Sequence, residues 1–231
     1  MPTEIAVATS GIYPELKRRI LDLRMAPGTD FTEPQLVADL GYSKTPIREA
    51  LARLRSEGLV EAIARSGYRV TPVTLRDVRD LMALRALLEG EASALAAANG
   101  GDAEGLHALE ELCRRSYDPA DRASIADFLS ANHDLHLAVA RLSGNARLVE
   151  ALAHVLEQLQ RVMHLGLSLS SRAEEIVHEH QELLEAIVAG DPEAARAVAV
   201  GQARSSEQMV MEALLSSDAV QSTNLGVSSA R

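Results

Sequence analysis

Residues 42–51 read YSKTPIREAL, and this stretch decides how the N-terminal part of the chain folds. Its apolar residues recur at helical spacing and form one inward stripe, made up of Ile47, Ala50, Leu51 and Leu54. Ser43 stands where a helix N-cap is expected, and Pro46 is tolerated in the first turn because its missing N–H costs nothing there. The outward face at the helix N-terminus carries Lys44, Thr45 and Arg48.

The segments on either side extend this helix into a larger motif. Thr32 and Gln35 have the spacing of a capping box, and they predict a short helix that ends at Gly41. Two helices joined by so short a connection predict a helix-turn-helix. After it, residues 59–63 and 68–71 are two extended segments that predict a β-hairpin, which is a wing. We therefore expect a winged helix-turn-helix over residues 1–74, with three helices and a hairpin wing.

The outward face of the third helix has the chemistry of a DNA recognition surface. Arg48 can donate two hydrogen bonds to a guanine, and Thr45 can contact a phosphate or a thymine methyl group. The N–H groups of the first helical turn also attract phosphate. Taken alone, the same face is equally typical of an ordinary solvated helix. The wing that follows the helix favours DNA binding.

Residues 42–51, with Arg53–Val60 and Gly67–Val70, closely resemble the DNA-binding domain of the GntR family of transcriptional regulators. The match covers roughly residues 12–73 and is specific, because this ordered run and its spacing to the wing rarely recur by chance. The resemblance implies five recognition-helix positions, which are Ser43, Lys44, Thr45, Pro46 and Arg48. It also implies that Gly67 is the wing-tip residue that enters the minor groove.

Two positions depart from the family pattern. Lys44 stands where Arg is commoner, and Pro34 stands where some members have a phosphate-binding Arg. Lysine binds phosphate as a point charge but lacks the bidentate geometry of a guanidinium. These departures affect the expected half-site sequence rather than DNA binding itself.

Charge and composition divide the chain in two. The formal net charge is −10, but residues 1–75 hold 10 Lys and Arg against 9 Asp and Glu, and the remainder holds 13 against 24. Nucleic acid is therefore expected to meet the N-terminal part. The sequence has no apolar run of membrane-spanning length and no signal peptide, and its one cysteine, Cys113, cannot form an internal disulfide. We expect a cytoplasmic protein without a membrane partner.

From residue 75 onward every segment has helical periodicity. The pattern predicts six helices, near residues 75–99, 102–117, 122–143, 146–169, 172–189 and 191–215. Residues 75–215 are therefore expected to form an all-helical bundle, so that the protein as a whole is mainly α. The Ser- and Asn-rich residues 216–231 are expected to be disordered.

Polar residues interrupt the inward apolar stripes of four of these helices. They are Arg85, Asn132, His136, His180 and Gln202. A buried polar group without a partner costs about 1–3 kcal/mol, so one shared polar cavity is a simpler explanation than five separate accidents. For either histidine alone, a satisfied core residue remains the commoner case. Arg85 requires an anionic partner, which is either Glu89 one turn along or the carboxylate of a ligand.

Residues 75–215 resemble the FCD effector domain, which accompanies this winged helix in the FadR subfamily. The resemblance is carried by Arg85 with Glu89, by Asn132 with His136 leading to Ser143–Asn145, and by Glu179–His180 leading to Gly190–Asp191. It implies a homodimer that binds a small organic acid, with Arg85, Asn132, His136, His180 and Gln202 as the effector-binding residues.

The resemblance also implies a metal site, because many such domains hold a divalent ion with one Asp and three His. His136 and His180 match two ligand positions, but Asn132 stands where Asp is usual and Gln202 stands where the last His is usual. Amide oxygens are poor ligands for zinc, which prefers imidazole. We therefore expect a site of Asn132, His136 and His180 at which an ion such as zinc is weakly bound or absent.

Together these features predict a transcriptional regulator, not an enzyme. It is expected to be a repressor that binds a palindromic operator as a dimer and responds to a carboxylate-bearing metabolite. Two alternatives are a helical metalloenzyme that uses His136 and His180, and an architectural DNA-binding protein without a ligand. The sequence shows no positioned nucleophile for the former, and the inward polar residues disfavour the latter.

Overall fold

A computed structural model describes residues 11–64, 66–100, 116–169 and 173–216. The secondary-structure elements of the first part are α1 Ile12–Leu21, β1 Asp30–Phe31, α2 Glu33–Leu40, α3 Lys44–Ser56, β2 Val60–Ile63 and β3 Gly67–Val70. Those of the second part are α4 Leu75–Ala98, α5 Arg122–Leu142, α6 Ala146–Leu169, α7 Ala173–Val188 and α8 Pro192–Ser216. The chain divides into two compact units between Thr74 and Leu75.

The first unit is built around the apolar stripe of α3. All four predicted stripe residues of that helix are buried, and they share a core with α1, α2 and the sheet. Large side chains that are fully buried in this core are Leu16, Ile20, Ile47, Leu51, Leu54 and Leu59. A polar cluster fixes the C-terminal end of α3 against α1. Tyr13 donates from its hydroxyl to Glu57 Oε1 at 2.6 Å, and the guanidinium of Arg53 lies 3.7 Å from the centre of the Tyr13 ring. Both contacts hold α3 in place while its N-terminal face stays exposed.

The helix ends follow the sequence prediction. Thr32 and Gln35 form the complete capping box of α2, and Gly41 closes that helix in the left-handed conformation at φ +72°. Ser43 is the N-cap residue of α3 by position, but its side chain makes no capping hydrogen bond. The predicted cap is therefore correct in place and lacks the expected contact, so the N–H groups of the first turn of α3 keep their capacity to bind an anion.

The wing is a three-stranded antiparallel sheet in the order β1-β3-β2, where the sequence had predicted only the β2-β3 hairpin. The extra strand pairs Asp30 with Arg69 and Phe31 with Tyr68. A strand of two residues has too few positions to show alternation, which is why the sequence did not predict it. Arg69 reinforces the pairing through two hydrogen bonds to Asp30, at 2.5 and 2.9 Å.

The second unit is a bundle in which α4 and α8 share the most extensive contact. One core cluster joins α4, α5, α7 and α8 around Leu135, Ile187 and Ala199, and another joins α4, α5 and α6 around Ala140 and Leu152. Five of the six predicted helices are present with bounds within two residues of the prediction. Residues 102–115 of the remaining helix, the cysteine at position 113 and the tail 217–231 lie outside the described residues.

Along α4 the buried stripe is rotated from the predicted one. Helical spacing predicts an inward stripe of Val78, Leu81, Leu88, Ala92 and Leu95. Val78 and Ala92 are buried, but the three leucines are only half-buried, whereas Met82 and Glu89 are fully buried. Leu88 and Leu95 pack at the edge of the core cluster that α4 shares with α5 and α6. Among the residues that the structure describes, no helix combines the length and low charge that crossing a bilayer requires.

Candidate functional site

The first candidate site is the N-terminal face of α3. Four of its predicted DNA-binding residues are exposed on that face, namely Ser43, Lys44, Thr45 and Arg48, and Pro46 is half-buried between them. The stripe residues on the opposite side of the helix are all at most 3% exposed. This division leaves the polar face exposed to solvent, which is the arrangement that a recognition helix requires.

Arg48 is not a free side chain on this face. Its Nε donates to Glu33 Oε2 at 2.9 Å, and Glu33 also accepts a hydrogen bond from the hydroxyl of Tyr68 on β3 at 3.3 Å. Glu33, the first residue of α2, thus connects that helix to both α3 and the wing. Because the contact uses Nε, the two terminal amino groups of Arg48 stay available for the paired hydrogen bonds that read a guanine.

Gly67, expected at the wing tip, opens β3 opposite Ile63. Its φ is +112°, and a Cβ built there would lie 2.5 Å from the carbonyl oxygen of Phe31. Glycine is therefore required where β3 begins to pair with β1, because a side chain would push the two strands apart. This packing role is independent of any contact that Gly67 makes with the minor groove.

The second candidate site is a narrow cavity inside the helical unit. All of its walls come from helices α4 to α8, through Arg85, Phe128, Leu129, Asn132, Met163, Ile176, Glu179, His180, Gln202 and Ser206. The polar residues that the sequence placed on inward stripes therefore do meet in one space. Four of the five line it, and the exception is His136.

Arg85 is the centre of a buried polar network behind the cavity wall. Its Nε donates to Glu89 Oε1 at 2.9 Å, one helical turn along, and its Nη2 lies 3.0 Å from Nε2 of His136. Nδ1 of His136 lies 3.2 Å from the same Glu89 oxygen. The side chains of all three residues are 4% exposed or less. Arg85 therefore forms the internal ion pair with Glu89, and it also lines the cavity.

These contacts assign the tautomer of His136. A guanidinium only donates, so Nε2 must accept from Arg85, and Nδ1 then carries the proton that faces Glu89. Burial, together with the positive charge of Arg85, holds the pKa of His136 well below its ordinary value, so the ring is neutral. Burial raises the pKa of the Glu89 carboxyl, and Arg85 acts in the opposite direction.

His180 and Gln202 both line the cavity, His180 on α7 and Gln202 on α8. The ring of His180 packs edge-on against His136, with centroids 5.3 Å apart, and burial lowers its pKa to about 3. Gln202 donates from Nε2 to the backbone carbonyl of Glu179. Within the described part of the chain, Nδ1 of His180 and Oε1 of Gln202 are buried atoms that have no hydrogen-bond partner.

The cavity is also lined by six residues outside the predicted set, which are Phe128, Leu129, Met163, Ile176, Glu179 and Ser206. Ser206 lies one turn beyond Gln202 on α8, so helical spacing from Gln202 would have found it. Glu179 is the immediate neighbour of His180, and because adjacent residues of a helix do not share a face, spacing alone does not predict it. Met163 comes from α6, where no inward polar residue had drawn attention to the helix. Asn132 lines the cavity as expected but is only half-buried, and His136 is covered by Arg85 and His180.

As they are arranged here, these residues do not fit a metal ion. The lone pair of His136 that would bind a metal accepts from Arg85 instead. His180 is then the only imidazole available, and its remaining neighbours Asn132 and Gln202 offer neutral amide oxygens. Across residues 11–64, 66–100, 116–169 and 173–216, no three His, Cys, Asp or Glu side chains are grouped so that they could hold a metal.

Comparison with known families accounts for both units. Residues 8–70 match the model of the bacterial regulatory proteins of the GntR family, and residues 80–201 match the FCD domain. The chain belongs to the GntR family. This GntR-family protein is therefore a DNA-binding transcription regulator and not an enzyme, which excludes the metalloenzyme alternative.

Relatives of this GntR-family regulator match it over most of their length. An HTH-type transcriptional regulator in an unstable DNA locus of Streptomyces ambofaciens is 32% identical over 80% of this chain and 77% of its own. A protein of Paenarthrobacter nicotinovorans named "Probable D-xylose utilization operon transcriptional repressor" is 30% identical over 74% of this chain and 75% of its own. The solved structure of Escherichia coli McbR/YncC shares the fold, with a TM-score of 0.72 at 24% identity over 87% of this chain and 95% of that one.

Proposed function

We propose that the protein is an effector-controlled regulator whose affinity for its operator changes when a small carboxylate binds in the cavity beside Arg85. The observation that carries this proposal is a buried guanidinium on the wall of an open cavity. Its bonds to Glu89 and His136 use two of its five N–H groups, among the contacts of the described residues. The remaining N–H groups can bind a carboxylate in the paired geometry that a guanidinium favours.

The residues around Arg85 suit a bound organic acid. Asn132, His180 and Gln202 supply polar contacts, and the apolar wall of Phe128, Leu129 and Ile176 suits a short carbon skeleton. In this proposal His136 acts from behind, because it holds the guanidinium in place and does not line the cavity. The organic ligand binds the protein directly and needs no metal.

On the DNA side, the proposal assigns base and phosphate contacts to the exposed face of α3. Arg48 reads a guanine, Lys44 and Thr45 contact the backbone or a thymine methyl group, and the uncapped first turn that Ser43 opens binds phosphate. Pro46 fixes the start of that turn, and Gly67 approaches the minor groove with the wing.

We further propose that the protein is a repressor and acts as a homodimer on a palindromic operator. Repression is supported by the names of relatives such as the Paenarthrobacter protein and the E. coli repressor RspR, which is 22% identical over 79% of this chain. Dimerisation is supported by Leu84 and Leu87 on α4, which are 44% and 71% exposed. They lie one turn apart on one helix face, where a second copy can cover them.

The experiment begins with the selection of an operator from random-sequence DNA by the full-length protein. Binding of the selected DNA is then followed by fluorescence anisotropy with and without a panel of small organic acids. The proposal expects at least one acid to change operator affinity while binding to a scrambled sequence stays constant. We expect light scattering of the protein–DNA complex to show two protein chains per selected site. A panel that leaves operator affinity unchanged throughout, or a monomer bound to a non-repeating site, contradicts the proposal.

A further inference from the structure

Two buried polar atoms on the cavity wall have no hydrogen-bond partner among the described residues. They are Oε1 of Gln202 and Nδ1 of His180, and both side chains are only 4% exposed. Both residues line the cavity, on neighbouring helices α8 and α7. A buried polar atom that forms no hydrogen bond is destabilising, so each such atom in a native protein calls for a partner, such as a ligand group, an ion or a water molecule.

The orientation of the Gln202 amide is fixed by its other end. Nε2 is the donor to the backbone carbonyl of Glu179, and that carbonyl cannot itself donate. The free atom of the amide is therefore Oε1, which can only accept. A ligand group that satisfies it must carry a hydrogen-bond donor, and neither a carboxylate oxygen nor a methyl group qualifies.

The imidazole of His180 adds a second condition that the ligand group must meet. His180 is neutral in this setting, because burial and the adjacent Arg85 disfavour its charged form. A neutral imidazole has one donor nitrogen and one acceptor nitrogen, so Nδ1 can adopt whichever role its partner needs. A hydroxyl group both donates and accepts, and it can therefore satisfy Gln202 and His180 together.

An amino group is a weaker match than a hydroxyl. An ammonium ion loses its hydration on burial and needs a counter-charge, which neither the amide oxygen of Gln202 nor a neutral imidazole supplies. Among the described lining residues the one carboxylate is Glu179, and it already accepts a hydrogen bond from Oγ of Ser205 at 2.8 Å. The positive charge of Arg85 also disfavours a second cation in so narrow a space.

We propose that Gln202 and His180 form a hydroxyl-selective subsite, so that the effector is a hydroxycarboxylate whose acid group binds at Arg85. This inference rests on the proposed function and narrows its ligand class. Gln202 is then the specificity-determining residue, at the position where the last metal-binding histidine is usual in such FCD domains.

The test compares matched acids that differ only in one group. Lactate, propionate and alanine form one series, and malate, succinate and aspartate form another, each with a hydroxyl, a hydrogen or an ammonium at the same carbon. Binding to the full-length protein is measured by isothermal titration calorimetry at millimolar ligand. We expect the hydroxy acid of at least one series to bind about tenfold or more tighter than both its analogues, because a site built to pair with a hydroxyl rejects a ligand that lacks it.

Two variants test whether Gln202 is the source of the selectivity for hydroxy acids. Gln202→Met keeps the length of the side chain and removes the acceptor, and it should reduce the hydroxy-to-deoxy affinity ratio towards one. Gln208→Met is the matched control, because Gln208 is exposed on the same helix and does not line the cavity, and it should keep the wild-type ratio. If Gln202→Met does not fold, the wild-type ratio alone still decides the question.

The outcomes separate this inference from the function on which it rests. Equal affinity for hydroxy and deoxy acids, tighter binding of the amino acids, or an unchanged ratio in Gln202→Met overturns the hydroxyl subsite and leaves a carboxylate effector in place. Failure of all six acids to bind contradicts both proposals. A hydroxy acid that binds with the expected ratio but does not alter operator affinity supports the subsite and contradicts effector control.

Discussion

Nη2 of Arg85 lies 3.0 Å from Nε2 of His136, which makes the histidine an acceptor for a neighbouring side chain. The other ring nitrogen faces Glu89 at 3.2 Å, so both nitrogens already have protein partners. In a metal site at least one of them would have to turn its lone pair to the ion. This relationship separates the cavity from a metal centre more clearly than the identities of Asn132 and Gln202 do.

The first prediction concerns zinc. Protein purified without added metal should contain well below one equivalent, because the lone pair of His136 is engaged by Arg85 and a single imidazole with amide oxygens binds zinc weakly. Elemental analysis by mass spectrometry measures the content before and after dialysis against a chelator. One full equivalent of zinc that survives dialysis would show that Arg85 moves aside and that His136 is a ligand.

The second prediction concerns base recognition. Arg48→Ala should weaken binding to the selected operator by about 1–3 kcal/mol, as expected for the loss of a paired contact to a guanine. Lys44→Ala should instead weaken binding to all sequences and reduce the salt dependence of affinity by about one unit of slope. The two variants serve as controls for each other. An Arg48 variant with unchanged operator affinity would show that α3 is not the recognition helix.

The third prediction concerns Glu33, which holds Arg48 through Nε. Glu33→Gln should lower the ratio of operator to scrambled-DNA affinity about two- to fivefold, because an exposed ion pair contributes up to about 1 kcal/mol to the placement of the guanidinium. Glu61→Gln on β2 changes the charge equally at an exposed position and should keep the ratio. Equal effects of the two variants would mean that Glu33 acts only through its charge.

The fourth prediction concerns acid stability. His164 is 1% exposed, neither ring nitrogen has a hydrogen-bond partner among the described residues, and burial lowers its pKa from 6.5 to about 4. As the pH falls below 6.5, the unfolded chain takes up this proton before the folded one does. The free energy of unfolding therefore decreases between pH 6.5 and 4, and His164 accounts for about 2 kcal/mol of the loss at pH 5.

Urea unfolding at pH 7.5 and pH 5 measures this contribution. His164→Met should lose about 2 kcal/mol less than wild type over that interval, whereas His154→Met, which alters an exposed histidine on the same helix, should lose as much as wild type. Identical losses in wild type and the His164 variant would mean that His164 binds its proton equally well in the folded state.

The sequence predicted the bounds and the buried stripe of α3 well because their signals are local. The stripe of α3, the capping box at Thr32 and the left-handed Gly41 each depend on residues within a few positions of one another. The strand Asp30–Phe31 was missed because it exists only through its pairing with β3, and two residues carry no periodicity of their own. The link from Glu33 to Arg48 joins residues 15 positions apart and follows from the packing of α2 on α3.

For the cavity, too, the sequence predicted the features that depend on local spacing and missed those that depend on tertiary packing. Helical spacing placed Arg85, His180 and Gln202 on inward faces, and all three are buried there. Spacing alone did not show that His136 lies behind Arg85, because the depth of a side chain depends on which neighbour covers it. The Arg85–Glu89 pair was one of two alternatives in the sequence, and the structure shows that an internal pair and a cavity-facing guanidinium coexist.

The fifth prediction tests the central claim, that an anion bound at Arg85 controls DNA binding. Arg85→Leu alone leaves the buried carboxylate of Glu89 without its partner, which costs stability whatever Arg85 does for the ligand. The informative protein therefore carries Arg85→Leu together with Glu89→Gln, which removes both charges. A variant with Glu89→Gln alone is the control, because it keeps the guanidinium.

The decisive measurement is operator affinity as a function of organic-acid concentration, by fluorescence anisotropy, with folding checked by circular dichroism. The wild-type protein and the Glu89→Gln control should both change their affinity as the acid is added. The double variant should fold and bind operator as tightly as the acid-free wild type, and the acid should have no effect on it. A folded double variant that keeps the full wild-type response would contradict the assignment of Arg85 as the effector anchor.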